Sequence, residues 1–215
     1  MSVTPLTTDA LMRMAPVIPV LSIHDVDTAV PLAKALIAGG LPVLEVTLRT
    51  PAGLDAIRAM SEVDGGVVGV GTVTRAHQFT EAREAGARFA VTPGSTPALL
   101  AAARDSGLPT LPGVMTASEV VMALEAGFDR LKFFPAEAAG GIPLLKSFHG
   151  PLAEVMFCPT GGVGPDNLAA YLQLPNVLCV GGSWIAPPDK ILSGDWAGIT
   201  ALAREAVVTS RASRG

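Results

Sequence analysis

Lys132 stands in the run Leu131-Lys132-Phe133-Phe134-Pro135, with apolar residues on both sides. An ammonium group is rarely left in such company without a partner or a purpose. Burial disfavours the charged form of any amine, and a neutral amine is the nucleophile that attacks a ketone. The residue type and its setting therefore point to Schiff-base chemistry on a carbonyl substrate. The competing reading is a lysine that snorkels from a strand end to a surface carboxylate. Lys34 and Lys146 fall in helical stretches and Lys190 in the last loop, which leaves Lys132 as the lysine set in an apolar strand.

A second group is Val43-Leu44-Glu45-Val46-Thr47-Leu48-Arg49. Strand alternation puts Glu45, Thr47 and Arg49 on one face and the aliphatic residues on the other. The aliphatic face suits packed helices, so the polar face points inward. Glu45 and Arg49 there make either a structural ion pair or a division of labour with Lys132. In the second case Glu45 moves protons and Arg49, nearer the strand end, holds a substrate carboxylate by a forked pair of hydrogen bonds. Thr72, in Val70-Gly71-Thr72-Val73, offers a hydroxyl or is an ordinary β-branched strand residue. Phe134 shares a face with Lys132, as a pocket wall or a core aromatic. Two glycine pairs follow late strands, Thr160-Gly161-Gly162 and Gly181-Gly182-Ser183. Such pairs either make tight turns or let backbone N–H groups approach an anion, with Ser183 adding a hydroxyl. His24, His77 and His149 do not converge, and Cys158 and Cys179 lie in apolar runs; neither set suggests a metal site.

These residues must be positioned by a regular scaffold. Strand patterns occupy residues 17–23, 43–48, 67–73, 89–92, 110–114, 130–134, 154–158 and 177–181. Helical patterns occupy 26–37, 53–61, 76–85, 96–105, a stretch from Thr116 or Ser118 to Gly127, 144–148, 165–172 and 196–208. An earlier short helix is capped by Thr7 or Thr8, with Leu11, Met12 and Met14 on one side. Residues 210–215 read as a frayed tail. Gly39, Gly86, Gly107 and Gly127 end helices, where a left-handed residue turns the chain back towards a sheet. Alternation is weak and runs such as Val67-Val68 are apolar on both sides, as in parallel strands covered on both faces. Eight strand–helix units in about 200 residues predict an α/β fold, a single (β/α)8 TIM barrel over residues 1–215 with a short N-terminal helix. An open doubly wound sheet is the rival. In such a barrel functional groups gather at the carboxyl ends of the strands, and phosphate sites lie after the seventh and eighth.

Composition agrees with extensive burial: of 215 residues, 49% are hydrophobic, 16% charged and only 5% aromatic, so Ala, Val, Leu and Ile build the core. The net charge of −4, without a Lys/Arg run, argues against a nucleic-acid partner. No uncharged apolar stretch is long enough to span a bilayer, and no leader pattern opens the chain, so a cytoplasmic setting without membrane association is expected.

Taken together, the blocks VLEVTLRT (43–50), VGTV (70–73), TPG (92–94), PG (112–113), KFFPAE (132–137), FCPTGG (157–162) and CVGGSW (179–184) resemble the class I 2-keto-3-deoxy-6-phosphogluconate (KDPG) aldolases, a family that includes 4-hydroxy-2-oxoglutarate aldolases. The resemblance runs through nearly the whole chain in family order. It implies a (β/α)8 homotrimer without metal or other cofactor, acting on a phosphorylated keto acid and pyruvate. Lys132 would form the imine and Glu45 act as general acid and base. Arg49 and Thr72 would bind the pyruvate carboxylate, Pro93 and Phe134 line the pocket, and Gly161, Gly162, Gly182 and Ser183 receive the phosphate. The expected reaction cleaves 2-dehydro-3-deoxy-6-phosphogluconate to pyruvate and D-glyceraldehyde 3-phosphate, the Entner–Doudoroff step. The chain departs from the family pattern at Ala139, at Met115, which would narrow the mouth, and at Gly164, where a serine would cap a helix. Rival functions are aldolases acting on 4-hydroxy-2-oxoglutarate or the phosphogalactonate epimer, a metal-independent phosphosugar isomerase or epimerase using Glu45 as base, and an inactive phosphometabolite-binding barrel.

Overall fold

Thr7 caps the first helix: its hydroxyl accepts the Ala10 N–H at 3.1 Å in the computed structural model, which describes residues 6–214. This helix, α1 (Thr8–Arg13), buries Leu11 and Met12, whereas Met14, expected on the same side, lies past its end and is exposed. Asp9 in α1 accepts a 2.8 Å bond from Nε of Arg130, the first residue of a later strand. The helix is thereby pinned at the amino ends of the strands.

The chain then runs through β1 (Val17–Leu21), a 3-10 turn (Val26–Thr28), α2 (Ala29–Ala38), β2 (Val43–Thr47), α3 (Gly53–Ser61), β3 (Val67–Gly71) and α4 (His77–Glu84). Next come β4 (Ala90–Val91), α5 (Pro97–Ser106), β5 (Thr110–Leu111), β6 (Gly113–Val114), α6 (Ala117–Glu125) and β7 (Arg130–Phe133). The last elements are α7 (Gly141–His149), β8 (Met156–Pro159), α8 (Pro165–Leu172), β9 (Val180–Gly182), α9 (Pro188–Ser193) and α10 (Trp196–Arg214).

All strand pairing among the described residues is parallel, in one sheet ordered β5-β4-β3-β2-β1-β9 and a second ordered β6-β7-β8. Every residue of β1, β2 and β3 is buried, as strands covered on both faces must be. The stretch 110–114, expected as one strand, is divided at Pro112, which has no N–H to give a ladder. The Pro112 carbonyl accepts the Lys132 N–H at 2.9 Å, and the Gly113 N–H goes to the Thr92 hydroxyl at 2.9 Å. A side chain thus carries on where backbone pairing stops. At the other margin, isolated parallel bridges join Phe157 to Val177 and Thr160 to Gly181. The result is an α/β fold with a curled parallel sheet.

Among the differences from expectation, three boundaries and one extra helix have clear local reasons. A turn closed by the Val155 N–H on the Leu152 carbonyl, 3.1 Å, delays β8 to Met156. Another, Val177 N–H on Leu174, delays β9 to Val180. Helix α9 was not expected; it opens on Pro188, whose ring suits a first helical turn. Helix α10 runs to Arg214 rather than fraying after 208, because Ile199, Ala203, Ala206 and Ser210 continue one buried stripe at helical spacing. Among the glycine stops, Gly86, Gly107 and Gly127 have positive φ, but Gly39 does not; Gly40, at φ 94°, makes that turn. Gly39 is glycine for another reason, since a Cβ there would sit 2.4 Å from Ala203 Cβ in α10.

On the outer side of the second sheet, the Phe133 ring packs edge-on against Phe148 of α7 and Phe157 of β8, both at 6.3 Å between centroids. No helix among the described residues is long and apolar enough to cross a membrane. Gly39→Val should wedge α2 from α10 and destabilise the protein by about 1–3 kcal/mol. Urea unfolding should show a lower midpoint at unchanged slope, partly restored by adding Ala203→Gly.

Candidate active site

Because Phe133 faces the helices, its neighbour Lys132 faces the interior. Its Cα is paired with Gly113 on one side and Cys158 on the other. The Lys132 Nζ lies 3.3 Å from Oε1 of Glu45, reaching from β7 to β2 across the enclosed space. Lys132 is 3% exposed and Glu45 2%. The ammonium also sits 5.3 Å from the centre of the Phe134 ring, within cation–π range. Lys132, Glu45 and Phe134 are thus brought together as the strand alternation requires.

Glycines make this convergence sterically possible. Gly71 of β3 leaves the space that the Glu45 carboxyl fills, since a Cβ on Gly71 would lie 2.3 Å from Oε1. Gly113, beside Lys132, has Pro93 over it, with the Pro93 carbonyl carbon 2.4 Å from where a Cβ would stand. Pro93 thereby reaches the same interior.

A cleft of about 360 Å³ adjoins the Lys132–Glu45 pair, sharing with it the Phe134 ring that stands against the amine. Arg49, Thr72, Pro93 and Phe134 line one part of it, and Gly161, Gly162, Gly182 and Ser183 another. Eight of the ten sequence-derived site residues therefore line this cleft, while Lys132 and Glu45 meet next to its Phe134 wall without lining it. Arg49 has left the strand and is exposed, with its Nε donating to the Thr72 hydroxyl at 3.3 Å. Thr72 holds φ at 61°, a left-handed conformation that costs a β-branched residue about 1 kcal/mol or more. Thr47, on the same face as Glu45, is taken up by structure: its hydroxyl donates to the Leu21 carbonyl at 2.9 Å.

Sequence reasoning missed Thr160, Val20 and Val163 as lining residues. Thr160 was legible, because it alternates with Cys158, the register partner of Lys132. Its Oγ1 fills the space beside Gly181, only 2.2 Å from where a Cβ would be. Met115 is not among the residues that line the cleft; it is 41% exposed, with its N–H bound to Glu119 at 2.7 Å. No side chain caps the first-turn N–H groups of α8 at Gly164, but Asn167 reaches back and accepts the Gly164 N–H at 2.8 Å. Ala139 packs partly buried against the core. Among the described residues no cluster of three or more His, Cys, Asp or Glu side chains could hold a metal ion.

A buried amine in contact with a carboxylate, next to a cleft lined by a guanidinium, a hydroxyl and two glycine loops, is suited to covalent capture of an anionic carbonyl compound. Residues 8–202 match the sequence model of the KDPG and KHG aldolase family. The chain is 52% identical over 198 residues to a 2-dehydro-3-deoxy-phosphogluconate aldolase of Pseudoalteromonas atlantica, covering 92% of each. Among solved structures it is similar to the 2-keto-3-deoxy-6-phosphogluconate aldolase of Zymomonas mobilis with 3-phosphoglycerate, at 52% identity and TM-score 0.91, covering 96% of this chain and 97% of that one. It is also similar to the KDPG aldolase of Legionella pneumophila, in which pyruvate was captured as a covalent carbinolamine intermediate. That match has 46% identity and TM-score 0.92, covering 94% of this chain and 98% of that one. Gly71→Ala must displace the Glu45 carboxyl and should slow carbon–carbon bond cleavage about a hundredfold with unchanged far-UV circular dichroism. An undiminished rate would remove Glu45 from proton transfer.

Proposed function

The chain belongs to the KDPG and KHG aldolase family, and from that premise we propose that it cleaves 2-dehydro-3-deoxy-6-phosphogluconate to pyruvate and D-glyceraldehyde 3-phosphate through an imine on Lys132. The observation that carries this reading is the 3.3 Å contact between two buried groups, Lys132 Nζ and Glu45, behind the Phe134 wall of a cleft that Arg49 and both glycine loops line.

The neutral amine attacks the C2 ketone, Glu45 supplies and removes protons, and water leaves to give a protonated imine. That cation accepts the electron pair of the C3–C4 bond as the C4 hydroxyl gives its proton to Glu45, directly or through water. The aldehyde departs, the enamine takes a proton at C3, and hydrolysis returns the amine and releases pyruvate. Arg49 and Thr72, already hydrogen-bonded to each other, present a guanidinium and a hydroxyl to the substrate carboxylate. Phe134 and Pro93 confine the reacting carbons. Gly161, Gly162, Gly182 and Ser183 receive the phosphate through backbone N–H groups and the serine hydroxyl.

The same reading carries a single (β/α)8 barrel domain over residues 1–215, with β5 and β6 acting as one bent strand. The Phe157–Val177 and Thr160–Gly181 bridges support closure between β8 and β9. It also carries a homotrimer and a cytoplasmic setting, as the family resemblance implies.

Two experiments test the proposal. Borohydride reduction in the presence of pyruvate should add a reduced pyruvyl group to Lys132, located by peptide mass mapping; an unmodified Lys132 would overturn the mechanism. Ser183→Ala should raise KM for the phosphorylated substrate about tenfold while leaving 4-hydroxy-2-oxoglutarate cleavage nearly unchanged. Equal losses on both would count against a phosphate at these loops.

A further inference from the structure

Residues 160–162 pass beside the segment that follows β7, and their three carbonyls are engaged by groups of Ala136, Glu137 and Asn167, none of which lines the cleft. The Thr160 carbonyl accepts the Ala136 N–H at 2.8 Å and the Gly161 carbonyl accepts the Glu137 N–H at 3.0 Å. The Gly162 carbonyl accepts Nδ2 of Asn167 at 3.0 Å. In a trans peptide the N–H of the following residue points opposite to the carbonyl. The N–H groups of Gly162 and Val163 are therefore turned to the cleft, which both residues line.

Two side chains of α8 enforce this orientation from outside. Asn167 spans the loop's end, donating to the Gly162 carbonyl and accepting the Gly164 N–H at 2.8 Å. One helical turn on, the fully buried Tyr171 donates its hydroxyl to Oε1 of Glu137. The Glu137 side chain in turn lies where a Gly162 Cβ would be, 2.5 Å from its Cγ. Gly141 gives the pair its room: a Cβ there would meet both Glu137 Oε1 and the Tyr171 hydroxyl at 3.1 Å. Burial and then the Glu137 carboxylate push the Tyr171 phenol well above its ordinary range, so it stays a donor. Positions 167 and 171 are four apart, so a single helix face presents both contacts.

We infer that Asn167 and the Tyr171–Glu137 pair are positioning residues that lock the 161–163 loop with its N–H groups facing the substrate phosphate, and that they thereby set the preference for phosphorylated over unphosphorylated substrates. The inference rests on the phosphate site assigned above. None of the three touches the reacting carbons. Their removal frees the loop peptides to rotate and lowers affinity for the phosphate without altering bond cleavage.

The test uses the full-length protein and two substrates, 2-dehydro-3-deoxy-6-phosphogluconate and 4-hydroxy-2-oxoglutarate. Asn167→Ala and Tyr171→Phe should each raise KM for the first about tenfold at nearly constant kcat, with kinetics on the second within about twofold of the parent. Inhibition by inorganic phosphate should weaken in parallel. Glu137→Gln, whose amide oxygen still accepts from Tyr171, should behave as the parent, and Asn167→Ser serves if the alanine variant does not fold. Equal losses on both substrates, or losses in kcat, would overturn the inference as merely structural. A selective Ser183→Ala with unselective Asn167→Ala and Tyr171→Phe would overturn the clamp and leave the phosphate site standing. Unselective behaviour of Ser183→Ala as well would overturn the phosphate site and the clamp together.

Discussion

The contact between Lys132 and Glu45 is the constraint to which the rest of the molecule is fitted. Two opposite charges removed from water need each other, because the desolvation of either alone is several kcal/mol. Yet such a pair is weak ground for stability: hydrophobic residues of similar volume usually serve a core as well or better. The pair therefore makes sense as chemistry held in place by a fold, and the Phe134 ring against the amine adds a contact that an aliphatic wall would lack. Removing one partner would leave the other stranded, so the two residues stand or fall together.

Holding that pair inside a parallel strand array takes space, and the strands supply it by omitting side chains. Gly71 yields to the Glu45 carboxyl, Gly69 to the Phe89 ring, Gly113 to Pro93 and Gly181 to Thr160. Gly182 yields to Trp184, whose ring would lie 1.7 Å from an added Cβ. A strand glycine is ordinarily unfavourable for want of packing and excess backbone freedom. Here the space each missing methyl leaves is filled by a neighbouring side chain or, at Gly113, by backbone, so packing is kept while the interior gains polar and aromatic groups at chosen places.

That these residues come together was legible because the signals are local: a lysine among apolar residues, a polar face on an otherwise aliphatic strand, glycine pairs at strand ends. Alternation alone sends Lys132 inward and Phe133 outward, and both orientations hold. What was not legible depends on partners distant in sequence. That Thr92 would take over the Gly113 N–H, letting one strand break at Pro112 and join two sheets, needs knowledge of the fold. The same holds for Gly39, whose requirement is the Ala203 methyl far along the chain. Gly164 does leave α8 without a side-chain cap, and what the sequence did not show is that Asn167, inside the helix, reaches back to the Gly164 N–H.

Strand β7 shows why these separate requirements converge on one register. Its alternate residues Arg130 and Lys132, followed by Phe134, meet in turn the Asp9 carboxylate of α1, the Glu45 carboxylate of β2 and the cleft. A slip of one residue would send all three to the opposite face. The register is held from both sides, by Gly113 and Cys158, and from below by the ion pair to α1. A short N-terminal helix at one end of the strands thus helps fix where an amine stands near the other. Stability at the amino ends and chemistry at the carboxyl ends are two uses of a single line of side chains.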